Sequence, residues 1–117
     1  MSTLELNSKD INDLLLLYVL EYLRNKKYRF SVIKLVKNAI TDEGGRLLLS
    51  HLAEDDSTQI LNLTSNQLTA RILDLIIFFC GRNSSLRTFY LTHNKIPSMQ
   101  VKNRRQDFEK HSLEIVI

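Results

Sequence analysis

One cysteine, one proline and three glycines occur in 117 residues, and tryptophan is absent. A lone Cys80 cannot close an internal disulfide, so an apolar core must hold the chain together. So few breakers of regular structure predict that most residues lie in helices and strands. The longest apolar run in the N-terminal part, Leu14 to Leu20, is far shorter than the ~20 residues that cross a bilayer. Acidic Asp10 and Asp13, rather than a basic stretch, flank its start, so it does not read as a secretion signal. A reducing, intracellular and cytoplasmic setting with no membrane contact is the expectation. The sequons Asn62-Leu-Thr and Asn83-Ser-Ser carry little weight in that setting.

Metal-binding and catalytic signatures are equally scarce. His51, His93 and His111 are scattered, and one cysteine cannot complete a ligand cluster with them, so no metal or cofactor is expected. Gly44-Gly45 stands alone, without phosphate-loop spacing; close helix packing is the expected role of Gly45. A formal net charge of +3 is mild and spread along the chain, which argues against nucleic acid as a partner. Lys102, Arg104, Arg105 and Lys110 read as a solvated helix face. These absences point away from an enzyme.

A repeat is what the sequence does contain. The segments from Ile33 to Ile40, Leu61 to Leu68 and Phe89 to Ile96 each read apolar, x, Leu, x, x, Asn, x, aliphatic. The asparagines Asn38, Asn66 and Asn94 recur at steps of 28. A weaker copy, Leu4 to Ile11, carries Lys9 in the asparagine position, and Leu113-Glu-Ile115-Val-Ile117 starts a fifth strand about two residues early. Between these strands the pattern predicts helices over 13–26, 42–53, 70–80 and 99–110. Asn12 or Asp10 is the expected cap of the first, and Gly81 the expected stop of the third. Strand and helix alternate as in parallel strands joined by helical crossovers. Alternation along each strand turns Leu4, Leu6, Ile33, Leu35, Leu61, Leu63, Phe89 and Leu91 inward. Ile11, Ile40, Leu68 and Ile96 plug the core beneath the turn. On the helices, Leu16, Val19 and Leu23 align with Gly45, Leu48 and Leu52, and with Leu73, Ile76 and Cys80, as one inward face. Cys80 is therefore expected as a buried structural thiol rather than a nucleophile.

This pattern resembles the ribonuclease-inhibitor-like class of leucine-rich repeats, most closely from Ile33 to Leu52, with Asn38 and Ile40-Thr-Asp-Glu-Gly44. The resemblance covers essentially the whole chain. It implies an α/β, right-handed β-α superhelix: a leucine-rich repeat solenoid with parallel strands on a concave face and helices on a convex face. Residues 1–117 would form a single repeat domain, with coils at about 1–29, 30–57, 58–85 and 86–112 and a partial one at 113–117. Lys9, Pro97, Arg104 and Arg105 depart from the pattern.

Within that architecture the outward strand residues form columns: Thr3, Val32, Ile60, Thr88; Glu5, Lys34, Asn62, Tyr90; Asn7, Val36, Thr64, Thr92; and Ser8, Lys37, Ser65, His93. The asparagine ladder of Asn38, Asn66 and Asn94 is structural. Candidate partner-binding residues are Lys34, Lys37, Asn62, Arg87, Tyr90 and His93, with Val32 and Ile60 as apolar side chains on an exposed face. The leading expectation is a non-enzymatic scaffold that binds an unidentified protein partner through the concave sheet. Small-GTPase regulation is an alternative, with Arg87 the only basic candidate at a strand start. Another is a secreted pathogen or symbiont effector that mimics eukaryotic repeats; the Asn-, Lys- and Leu-rich composition suggests an AT-rich genome. Neither end carries a dedicated polar cap, so the expectation is either self-association through an open solenoid end or a piece of a larger repeat protein.

Overall fold

Equal steps along the chain bring short strands side by side. In the computed structural model, which describes residues 2–81 and 84–117, strand and helix alternate along the chain. The sequon at Asn83 lies outside the described residues. The strands are β1 (Thr3–Glu5), β2 (Val32–Lys34), β3 (Ile60–Asn62), β4 (Thr88–Tyr90) and β5 (Glu114–Val116). The helices are α1 (Asp13–Lys26), α2 (Asp42–Ala53), α3 (Arg71–Cys80), α4 (Ser98–Asn103) and α5 (Arg105–Lys110). All strands are parallel, in the order β1-β2-β3-β4-β5. The register pairs Leu4 with Ile33, Ile33 with Leu61, Leu61 with Phe89 and Phe89 with Ile115, so β5 enters two residues early as its pattern predicts.

The core lies between this sheet and the helices. Ile33, Leu35, Leu61, Leu63, Phe89 and Leu91 are buried from the strand side, and Ile40 and Leu68 are buried beneath the turns. Leu4 and Leu6 belong to the outermost coil and stay half-buried. The helical face is wider than its three-residue steps suggest: Leu20 rather than Val19 is buried on α1, and Leu49 and Ile72 join on α2 and α3. At Gly45 a Cβ would stand 2.6 Å from Cδ1 of Ile72, so the missing side chain lets α2 approach α3.

The turn after each strand is closed from the next coil. Asn38 accepts from the Lys9 and Ile11 amides at 3.1 and 2.9 Å and donates to the Leu6 carbonyl at 3.0 Å. Asn66 accepts from Ile40 N at 3.1 Å and donates to Leu35 and Leu63 O at 2.9 and 3.0 Å. Asn94 accepts from Leu68 N at 2.9 Å and donates to Leu63 and Leu91 O at 2.9 and 3.1 Å. Each asparagine thus satisfies backbone groups of the coil before it, groups that would be costly to leave unpaired. Lys9 stands in the asparagine's place in the first coil, and its own amide is one of the groups that Asn38 serves.

A second ladder runs along the helix starts. Asp13 accepts from Thr41 N at 2.9 Å and from the Thr41 hydroxyl; Asp42 accepts from Thr69 N at 2.9 Å and from the Thr69 hydroxyl. A Cβ on Gly44 would sit 2.1 Å from the Asp13 carboxylate oxygen, so glycine leaves room for this rung. The next step would join positions 70 and 97. These are Ala70, with no carboxylate, and Pro97, with neither amide hydrogen nor hydroxyl. Both halves of the rung are lost together.

Asn12 caps α1 by accepting from Leu15 N at 2.8 Å. Two expectations need correction. The third helix begins at Arg71 rather than Ala70. The fourth is not continuous over 99–110: Arg104 (φ −111°, ψ 11°) separates α4 from α5, while its guanidinium reaches Asp74 of α3 at 2.7 and 3.2 Å and the Gln100 carbonyl at 2.9 Å. Gly81 closes α3 as expected, with φ −71°. A Cβ there would stand 2.6 Å from the Ile77 carbonyl oxygen and 3.3 Å from the His111 ring.

The ladder's direction is testable by urea unfolding. Asn66→Ala strips buried Ile40 N and Leu35 O of a partner, while Leu63 O keeps the Asn94 amide, and at about 1–3 kcal/mol per orphaned group the expected loss is about 2 kcal/mol or more. Lys9→Asn should stay within about 0.5 kcal/mol of wild type. A large gain from Lys9→Asn would refute the one-way service.

Candidate protein-binding face

The pairing register lays the outward side chains in rows across the sheet. One row runs Glu5, Lys34, Asn62, Tyr90, Val116. With strands about 4.8 Å apart, the Cα atoms of Lys34 and Tyr90 lie about 10 Å apart, with Asn62 between them. All three are half-exposed. Asn62 Oδ1 accepts from Thr64 N at 3.0 Å and Thr64 Oγ1 at 2.7 Å, so its oxygen is already occupied within the face.

The first row runs Thr3, Val32, Ile60, Thr88, Glu114. Ile60 is half-exposed, but Val32, expected to stand open, is only 7% exposed. It sits on an inner strand between Thr3 and Ile60, whose branched side chains stand on either side of it. Val32 belongs to the support of the face rather than to its surface.

Lys37 and His93 lie at the turn end of the strands and are exposed. Their backbones are left-handed (φ 57° and 58°), as are those of Ser8 and Ser65 at the same place in their coils (φ 55° and 59°). The repeated conformation sends four side chains off one rim. Arg87 lies at the other end of β4; it is exposed, and its Nη1 donates to the Leu86 carbonyl at 2.8 Å. The structure therefore gathers Lys34, Asn62, Ile60 and Tyr90 mid-sheet, puts Lys37 and His93 on one rim, and leaves Arg87 at the other.

Sequence reasoning stopped short of Val116 and Glu114, which β5 adds to the rows of Tyr90 and Thr88. The two-residue offset of Leu113 to Ile117 was the signal for them. Val36, Thr64 and Thr92 form a further half-exposed row that carries no charge.

The remaining candidates, His51 and Cys80, lie on the helices, away from the outward rows. His51 is half-buried on α2, and its Nδ1 lies 3.4 Å from Arg24 Nη2. Burial and then the Arg24 cation push its pKa below the ordinary imidazole value. Cys80 is buried, and desolvation pushes its thiol up to about 11. Among the described residues no group of three His, Cys, Asp or Glu side chains is placed to hold a metal ion, and no helix is long and apolar enough to cross a membrane.

Parallel strands in one register, helices on the other side and an asparagine at three successive turns decide the architecture. The fold is a leucine-rich repeat solenoid. A family model described as Leucine Rich repeat matches residues 32–49, the span that carries β2, Asn38 and most of α2. Fourteen solved chains match. Among them is leiomodin-1 actin-binding site 2, with a TM-score of 0.78 and 17% identity over 99% of this chain and 69% of that one. No curated protein matches. The rows of Lys34 and Ile60 lie on the side of the sheet away from the helices.

The thiol gives a pH prediction. The folded pKa of Cys80 lies above its ordinary value near 9, so the native state keeps its proton where the unfolded chain has lost it. Stability should be unaffected by this group below pH 9 and fall as pH rises from about 9 to 11. Cys80→Ala should flatten that decline in denaturant titrations, and at neutral pH a thiol reagent should label wild type only on unfolding.

Proposed function

We propose that the chain is a non-enzymatic scaffold whose concave sheet docks a protein partner. The observation that carries this reading is the row of Lys34, Asn62 and Tyr90, held half-exposed on three adjacent strands. An aromatic ring beside a mobile cation suits a protein surface, where tyrosine and basic residues tend to anchor binding. Lys37, His93 and Arg87 add positive charge or hydrogen-bond donors on both rims, so the fitting partner presents an acidic patch. Ile60 supplies an apolar contact beside the tyrosine row. The coil length and helical return support placement in the ribonuclease-inhibitor-like class. A single, buried thiol suits a reducing, cytoplasmic setting. The leiomodin-1 segment is by its title an actin-binding site, which makes actin the first partner to assay here.

Capture from cell extract with mass spectrometry, and a direct actin assay, test the proposal. Tyr90→Ala should weaken binding about 30-fold, as removal of a ~2 kcal/mol anchor would. Lys34→Glu should weaken it about tenfold through charge reversal. Phe78→Ser, at an exposed position on α3 away from the sheet, should leave binding intact. Thermal midpoints of all three should stay close to wild type. Binding that survives both concave substitutions but fails with Phe78→Ser would place the site on the helical side.

A further inference from the structure

The outer side of the first coil carries an apolar surface that the concave reading does not use. Leu14, Tyr18 and Tyr22 follow one another at steps of four on α1 and so share one helix face. Tyr18 is 60% exposed, Tyr22 53% and Tyr28 52%. Between this face and β1 lies a groove of about 460 Å³, lined among others by Leu4, Leu6, Val19 and Phe30. Tyr22 and Tyr28 pack with ring centroids 6.2 Å apart, and Lys26 Nζ lies 6.0 Å from the Tyr22 ring centre. Beside the groove, β1 is an edge strand whose outward backbone groups face no other strand.

We propose that this face binds a second copy of the chain about a two-fold axis, with α1 antiparallel to its counterpart and β1 antiparallel to its counterpart. Three observations select this occupant and this arrangement. The first is area. At about 150–250 Å² per aromatic side chain, the exposed parts of the tyrosines together with the groove lining offer on the order of 500 Å² per copy. That gives about 1,000 Å² for a pair, the lower bound of a specific interface. The second is charge. An axis passing Tyr18 sets the N-terminal end of one α1, preceded by Asp10, against the last turn of the other, which carries Arg24 and Lys26. Antiparallel helix dipoles act in the same sense. The third is Lys9. Head-to-tail stacking would put the last coil of one copy before β1 of the next, where the ladder requires a side chain that accepts from a backbone amide. A lysine ammonium has no acceptor. The face therefore meets its own kind head-to-head, and the assembly closes at two.

Sedimentation across a concentration series tests this. Wild type should pass from monomer to dimer and stop there. Tyr18→Lys, which sets two ammonium groups against each other at the axis, should weaken association by roughly a hundredfold, with an unchanged unfolding midpoint. Met99→Lys, at an exposed position on α4 at the other end, should not weaken it. Mild oxidation of a mixture of Leu14→Cys and Tyr22→Cys chains should yield the mixed covalent dimer in preference to either homodimer. A wild type monomeric throughout, open-ended growth beyond the dimer, insensitivity to Tyr18→Lys, or dominance of the covalent homodimers would each overturn the proposal. Loss of partner binding by Tyr90→Ala in a chain that still dimerises separates this test from that of the concave face.

Discussion

Every coil of this solenoid turns a tight corner after its strand, and the backbone groups at the corner are buried. Their needs are met by one side chain, the asparagine of the following coil, which donates to a leucine carbonyl and accepts from the amide of the plug residue. Since the bond always reaches back, each coil is completed by its successor and the stack has a direction. Among the described residues no asparagine reaches back to the coil that holds Asn94 as Asn94 itself reaches back to Leu63 and Leu68. Its plug Ile96 is only half-buried where Ile40 and Leu68 are fully buried, and its helix is the broken one. Regularity fades where the service ends, as expected of a structure stabilised by nearest-neighbour contacts.

The aspartate–threonine rungs repeat this logic at the helix starts. Asp13 and Asp42 each hold a threonine of the next coil, and Gly44 leaves room for the first carboxylate. At the third junction neither partner survives, since Ala70 and Pro97 stand there. The bond between Arg104 and Asp74 takes over the task of tying α3 to the last helical segment. Arg104 does so from the point where the backbone leaves the helix between α4 and α5. Exposed ion pairs contribute little; this one is bidentate, with the Arg104 side chain partly buried, and acts as a positioning contact.

The strands, their register and the inward residues were legible because a parallel stack needs the same pattern at the same step, and the 28-residue spacing of Asn38, Asn66 and Asn94 states that step directly. The early entry of the fifth strand was legible for the same reason. The break at Arg104 was not, because the residue that its guanidinium meets there, Asp74, lies thirty residues away in sequence. Burial of Val32 escaped because alternation tells which way a side chain points but not what its strand neighbours cover. The threonine rungs were written in the spacing of Thr41, Thr69 and Pro97, yet polar residues at helix starts have a ready local explanation as caps, which masks a longer-range role. Of the candidate site, Lys34, Asn62 and Tyr90 follow from register alone. The occupied oxygen of Asn62 requires coordinates.

The two proposed surfaces are perpendicular, and this has a consequence for how they combine. The concave face looks along the direction from helices to sheet, whereas the end face looks along the stack. A two-fold axis parallel to the sheet-to-helix direction reverses the strands and the stacking direction but leaves that direction unchanged. Both concave sheets of a pair would then look the same way, side by side, joined through their β1 edges. A partner that offers two acidic patches would meet two rows of Lys34 and Tyr90 at once. The second contact would form at high effective concentration, so modest contacts in each copy would suffice for tight capture. A single flat sheet with few aromatic anchors gains more from such doubling than from any one additional residue.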